Sequence, residues 1–244
     1  MDSRPIGVFD SGIGGLNVLK ACVKQLPHES FIYLADKANM PYGTRSRDEI
    51  RAAARTCADV LIGMNCKAVV IACNTATETA IEYIRETYNG VIFIGLEPAV
   101  KPCFRELGRN GYGVALVTEA TARSAKFNRL IEGCEGRIVV APQPRLAKLI
   151  EDGADEDVMR GYVDGMLAPY KDAEAVALGC SHYSNISGLI SDYYGGNIKI
   201  YDGAFGAAAR LAYCLAVAGK ITESEEQGSV RFYSTEKSNN QKAP

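Results

Sequence analysis

The chain has 244 residues, 47% hydrophobic and 23% charged, enough apolar mass for more than one core. Its 27 basic and 29 acidic residues leave a net charge of -2 with no basic run, which excludes a surface built for nucleic acid or an anionic membrane. No apolar stretch approaches the roughly 18–20 residues that span a bilayer. The opening Met1-Asp2-Ser3-Arg4-Pro5 lacks the charged-then-apolar pattern of a leader, so a cytoplasmic location is expected.

In chain order, short β-rich runs alternate with helical segments. The runs cover residues 6–10, 31–36, 68–72, 91–97, 113–118, 137–141, 175–179, 198–202 and 230–234. Several are almost wholly apolar, as in Ala68-Val69-Val70-Ile71-Ala72. Strands buried on both faces of a parallel sheet read this way. Helical spacing marks 47–64, 76–88 and 203–219. The alternation predicts an α/β layered fold.

Residues 67–75 echo residues 174–182: each segment is a buried-strand pattern ending in a cysteine and two polar residues. Gly7-Val8 and Gly113-Val114 repeat at almost the same offset. The echo predicts two related, pseudo-symmetric α/β halves with mainly parallel sheets. One domain is expected at 1–97 plus 206–244 and the other at 98–205, with the first boundary at Gly95-Leu96-Glu97-Pro98, where proline starts a helix. The polar tail 235–244 is expected to fray.

Eight cysteines in a leaderless chain of this length are expected as free thiols. There is no C-x-x-C pair, and the only histidines are His28 and His182, so no metal site is expected.

Ligands of open α/β sheets sit beyond the carboxyl ends of the strands. Asp10, Ser11, Asp36, Cys73, Asn74, Thr75, Glu97, Thr118, Cys180, Ser181, His182 and Asp202 stand there. The turn Asp10-Ser11-Gly12-Ile13-Gly14-Gly15 matches neither a P-loop nor G-x-G-x-x-G, yet its backbone N–H groups suit an anion such as a carboxylate. Cys73 and Cys180 each close an apolar strand ahead of a helical segment, where terminal amides favour the thiolate. Cys57 and Cys214 fall at helical spacing and read as core. Inverting a carbon centre needs a base on one face and an acid on the other. Two cysteines fill those parts without a cofactor, exchanging protonation states each turnover. His182, two residues after Cys180, is placed to shuttle its proton, and Asp10 to serve Cys73.

In order along the chain, Gly7-Val8-Phe9-Asp10-Ser11-Gly12-Ile13-Gly14-Gly15, Asp36, Pro41-Tyr42-Gly43, Ala72-Cys73-Asn74-Thr75-Ala76, Glu97-Pro98-Ala99, Thr118 with Thr121, and Gly179-Cys180-Ser181-His182-Tyr183 resemble the glutamate racemase family. The resemblance implies a cofactor-independent isomerase in which Cys73 takes the α-proton from D-glutamate and Cys180 takes it from L-glutamate, assisted by Asp10 and His182. It implies substrate contacts from Asp10, Ser11, Asn74, Thr75, Thr118, Ser181 and His182, with the side-chain carboxylate met near Pro41, Tyr42 and Gly43. Asp36 and Glu151 stand as auxiliary acids, Glu151 near the second cysteine. The resemblance further implies two pseudo-symmetric α/β domains facing each other across an active-site cleft, a homodimer, and D-glutamate supplied to peptidoglycan synthesis. The alternatives are a racemase for aspartate or another acidic amino acid, and a non-catalytic binding protein for an anionic metabolite. Several positions depart from the family pattern. Serine stands at 181 where threonine is usual and at 184 where proline is usual. Gln143, Arg145 and Lys148 intrude near Glu151, and the C-terminal helix is shortened after Phe232-Tyr233-Ser234-Thr235. The loss of proline at 184 is expected to loosen the loop that carries His182.

Overall fold

The computed structural model of the chain describes residues 2–134 and 136–235. The described residues hold the strands β1 (Ile6–Asp10), β2 (Phe31–Ala35), β3 (Ala68–Ile71), β4 (Ile92–Gly95), β5 (Gly113–Val117), β6 (Ile138–Pro142), β7 (Ala175–Gly179), β8 (Lys199–Tyr201) and β9 (Val230–Ser234). Each expected run overlaps one of them, and β6 runs one residue past its expected end, to Pro142. The run 91–97 is trimmed most, to Ile92–Gly95, because the chain turns toward Pro98 once Leu96 has donated its N–H to the Ile71 carbonyl. Of the tail expected to fray, residues 236–244 lie outside the described residues.

The strands form two sheets with every pairing parallel, one ordered β4-β3-β1-β2-β9 and the other β6-β5-β7-β8. Read from matching edges, β4-β3-β1-β2 corresponds to β8-β7-β5-β6. The echo between 67–75 and 174–182 is thus one of topology: β3 and β7, which lead to the two cysteines, hold equivalent places. β9 extends the first sheet alone, pairing with β2 from Val230 opposite Phe31 to Ser234 opposite Ala35.

Each sheet is covered on both faces, which is why its central strands are apolar throughout. In the first sheet Phe9 and Ile71 pack toward the helices Arg47–Gly63 and Asn74–Thr87, while Val8 and Val70 pack toward Leu16–Gln25 and Ala204–Val217. In the second, Leu116 and Leu178 face Leu146–Glu151, Glu156–Leu167 and Ser187–Tyr193, and Ala115 and Val117 face Val100–Arg105 and Ala125–Glu132.

The helix Arg47–Gly63 begins with a reciprocal capping box between Ser46 and Glu49 and buries Ile50, Ala54, Cys57 and Leu61 along one face. The helix expected from 76 begins at Asn74, with Cys73 as its N-cap. Asn74 and Thr75 read as loop because they are polar. Their side chains find partners outside the helix, Asn74 at the Leu96 carbonyl and Thr75 at Thr118, so helical backbone costs them nothing. Cys57 is buried as expected, and Cys214 is half-buried against its core. All eight thiols are unpaired. No helix of the described residues is long and apolar enough to cross a membrane.

Candidate active site

The neighbours β1 and β3 lead to Asp10, the last residue of β1, and Cys73, two residues past β3; the neighbours β5 and β7 lead directly to Thr118 and Cys180. Between each pair the strand order reverses, which opens a crevice at the carboxyl edge. The two edges face each other, and side chains from both meet directly.

Asp10 is the hub. Its Oδ2 accepts the Gly12 and Gly15 N–H groups, both at 3.1 Å, and its Oδ1 accepts the Ser181 hydroxyl at 2.9 Å. The glycine-rich turn therefore wraps a carboxylate of its own chain, and the Tyr33 hydroxyl anchors it further by donating to the Gly12 carbonyl at 2.7 Å. A Cβ on Gly14 would lie 2.5 Å from both the backbone N and Nδ1 of His182, so only glycine lets the turn approach the His182 loop this closely.

Cys73 Sγ lies 3.9 Å from the Ser11 hydroxyl, and Cys180 Sγ lies 3.9 Å from His182 Nδ1. The other ring nitrogen of His182 meets Glu151 Oε2 at 2.8 Å, and that same oxygen accepts the Ile13 N–H at 2.8 Å. Lys37 Nζ stands 3.8 Å from Glu151 Oε1. Cys180, His182 and Glu151 form a relay whose far end is held by the glycine-rich turn of the opposite edge.

Around it, Thr75 and Thr118 share a 2.9 Å hydroxyl contact, and the Thr118 hydroxyl also caps the helix Glu119–Ala122. Pro41, Tyr42 and Gly43 enter a single helical turn, Tyr42–Thr44, packed against Thr118, where a Cβ on Gly43 would meet the Thr118 Cβ at 2.9 Å. The buried Tyr42 hydroxyl donates to Asp36 Oδ2 at 2.5 Å, and Asn39 and Thr235 donate to the same carboxylate. Asp36 is thereby committed to holding the 41–43 turn.

Burial sets the electrostatics. It pushes the Cys73 thiol well above its ordinary range, and the Asp10 charge adds to this; the Ala76 N–H at the helix start and the Ser11 hydroxyl pull it back only in part. The expectation that helix amides would favour the Cys73 thiolate is corrected here. The amide is in place, but Cys73 is only 4% exposed and desolvation outweighs it. Cys180 departs differently: it is followed by the tighter 3-10 turns Ser181–Ile186, not an α-helix. Burial opposes a charge on His182. Hydrogen bonds to Cys180 and Glu151, with the Cys180 and Asp10 charges, outweigh it and raise its pKa to about 10. Burial likewise raises the Glu151 carboxyl, but the His182 and Ile13 hydrogen bonds win and its pKa is lowered.

Nearly all of the expected residues converge on this region. Asp10 makes no hydrogen bond to Cys73 among the described residues; Ser11 is the side chain in reach of that sulfur. Glu97, at a strand end in the sequence, points away and pairs with Lys126. Asp202 instead caps Ala204 and accepts from Ser184 at 3.3 Å, so the loop expected to loosen without proline has a polar tether. Tyr33 and Lys37 were missed. Lys37 directly follows Asp36 at a strand end, which is a signal; nothing local predicts that Glu151 would face it.

The geometry defines an α/β protein of two parallel sheets whose carboxyl edges meet, with a buried thiol following the corresponding strand of each. The family model described as Asp/Glu/Hydantoin racemase matches residues 6–212. A glutamate racemase of Clostridium novyi is 39% identical over 236 residues, covering 95% of this chain and 91% of its own. One of Clostridium acetobutylicum is 40% identical over 235 residues, covering 94% and 91%. The crystal structure of a Francisella tularensis glutamate racemase in complex with D-glutamate superposes with a TM-score of 0.82 at 30% identity, covering 98% of this chain and 90% of that one. The chain belongs to the Asp/Glu/hydantoin racemase family and, within it, to the glutamate racemases.

Proposed function

We propose that the chain interconverts L- and D-glutamate with Cys73 and Cys180 as the two acid–base groups and no cofactor. One sulfur, as thiolate, takes the α-proton; the other, as thiol, delivers its proton to the opposite face, and the pair ends each turnover with states exchanged. Cys73 serves D-glutamate and Cys180 serves L-glutamate. His182, held by Glu151, moves the Cys180 proton, and Asp10 assists on the Cys73 side. Asp10, Ser11, Asn74, Thr75, Thr118, Ser181 and His182 bind the α-amino and α-carboxylate groups. Pro41, Tyr42 and Gly43, supported by Asp36, meet the side-chain carboxylate.

The observation that carries this reading is the equivalence of the two cysteines. Each follows the corresponding strand of its sheet, and the Ser181–Asp10 hydrogen bond of 2.9 Å ties the end of the Cys180 strand, β7, to the end of β1, the neighbour of the Cys73 strand. Binding alone does not call for paired thiols. We further propose that the division falls at 1–97 plus 206–244 and 98–205, that the protein acts in the cytoplasm as a homodimer, and that its D-glutamate feeds peptidoglycan synthesis.

The test is α-proton exchange in deuterated water, followed from each enantiomer with no added cofactor. Exchange and racemisation are expected for both, and Cys73→Ala or Cys180→Ala should lower racemisation by at least about a thousandfold. Full activity in either variant, or a requirement for pyridoxal phosphate, would end the two-thiol mechanism. Faster turnover of aspartate than glutamate would move the substrate assignment.

A further inference from the structure

A second pocket, of about 430 Å³, shares no lining residue with the two-cysteine site. It lies outside the contact between the Tyr42–Thr44 turn and the helix Glu119–Ala122. Both halves line it: Arg45, Arg47 and Arg51 come from the chain around the start of the helix Arg47–Gly63, and Arg123, Lys126 and Arg129 from the chain around Ala125–Glu132. These six cations face two carboxylates, Glu78 and Glu82.

The cations are placed against local preference. The start of a helix carries partial positive charge, where a cation is unfavourable and an anion welcome. Arg47 is the first residue of its helix and Lys126 the second of its own. Arg47 makes no ion pair among the described residues, and Arg123 is held only loosely, 3.8 Å from Glu119. Lys126 is balanced by Glu78 and Glu97, whereas Arg47 and Arg123 are left available to an anion from outside.

The floor of the pocket supplies an independent sign. Glu78 is 6% exposed; its Oε1 accepts from Lys126 at 3.2 Å, while its Oε2 is buried with no hydrogen-bond partner. A buried carboxylate oxygen without a donor is costly. A ligand hydroxyl reaching the floor would satisfy it, as the arginines at the mouth hold an anionic group.

We propose that this pocket binds a phosphorylated small molecule bearing hydroxyl groups, its phosphate held by Arg47 and Arg123 and one hydroxyl donating to Glu78. The volume suits a sugar-phosphate-sized ligand, and arginine forks match phosphate geometry. Because lining residues come from both halves, the ligand links them beside the Gly43–Thr118 contact.

Calorimetric titration of the full chain with ribose 5-phosphate at low salt tests this without reference to racemisation. We expect one saturable site per chain, weakened at least about tenfold in the double variant Arg47→Gln, Arg123→Gln. Sulfate, which has the charge but no hydroxyl, should bind at least about fivefold more weakly than ribose 5-phosphate. Racemisation by the double variant without phosphate should stay within about twofold of the parent, which shows that its fold is intact. Absence of saturable binding, or equal affinity of the parent and the double variant, would overturn the site. Sulfate binding as tightly as the sugar phosphate would overturn the role given to Glu78.

Discussion

The Ser181 hydroxyl donates to Asp10 Oδ1 at 2.9 Å, joining the end of β7 in one sheet to the end of β1 in the other. Both residues are buried, as are the two cysteines beside them, so the edges are shut against each other. Ser181→Ala should leave Asp10 Oδ1 short of a donor and cost about 1–3 kcal/mol of stability, read from urea unfolding. It should also speed alkylation of Cys73 and Cys180 in the folded protein. Unchanged stability together with unchanged labelling would mean that this bond does not hold the cleft.

The His182–Glu151 pair makes stability depend on pH in a definite direction. His182 is raised from an ordinary 6.5 to about 10, so its contribution is complete below about 6.5 and is lost as pH rises toward 10. Glu151 is lowered from 4.5, so its contribution is present above 4.5 and is lost as pH falls below that value. The pair therefore stabilises most between these limits. Glu151→Gln should drop the His182 pKa by about one unit or more, each unit corresponding to about 1.4 kcal/mol. With only two histidines in the chain, an NMR titration reads this directly. An unmoved His182 resonance would show that the carboxylate charge does not set its protonation.

Gly14 tests the approach of the glycine-rich turn. Gly14→Ala places a methyl group 2.5 Å from the His182 backbone N and 2.7 Å from Ser181 Oγ. The loop must shift, and the cysteine relay with it. Racemisation should fall at least about tenfold while far-UV circular dichroism stays native, since misplacement of reacting groups costs rate before it costs fold. Parent-like activity would mean the turn and the His182 loop adjust freely.

Away from the site, Lys67 and Glu29 form a 2.6 Å ion pair with side-chain exposures of 0% and 2%. Glu29 also accepts the Thr222 N–H at 2.8 Å, and Lys67 donates to the Asp2 carbonyl at 2.5 Å, so the pair ties the N-terminal segment and the segment ahead of β9 to the first sheet. Glu29→Ala strands a buried ammonium and should cost about 3–5 kcal/mol in denaturant unfolding, with little change in KM. A loss below about 1 kcal/mol would show that Lys67 finds water or another partner readily.

Much of the molecule was legible in the sequence because its signals are local. An apolar run such as Ala68–Ile71 reports burial on both faces wherever it lies, and a cysteine closing such a run must stand at the sheet's carboxyl edge. The repeat of that pattern at Cys180 exposed the pseudo-symmetry, and helical spacing over 47–64 marked the helix Arg47–Gly63 almost to its ends. The helix start at Asn74 was misjudged because its polar side chains are satisfied by Leu96 and Thr118, distant in sequence.

The sequence by itself determined the two parallel sheets and which residues stand on their reactive edges, since strand and turn preferences are fixed by near neighbours. Only the tertiary structure decided how those edges meet: Ser181 on Asp10, 171 residues apart, and Glu151 on Ile13, 138 residues apart. It also decided that burial outweighs the helix amide at Cys73, because desolvation depends on everything packed around the sulfur.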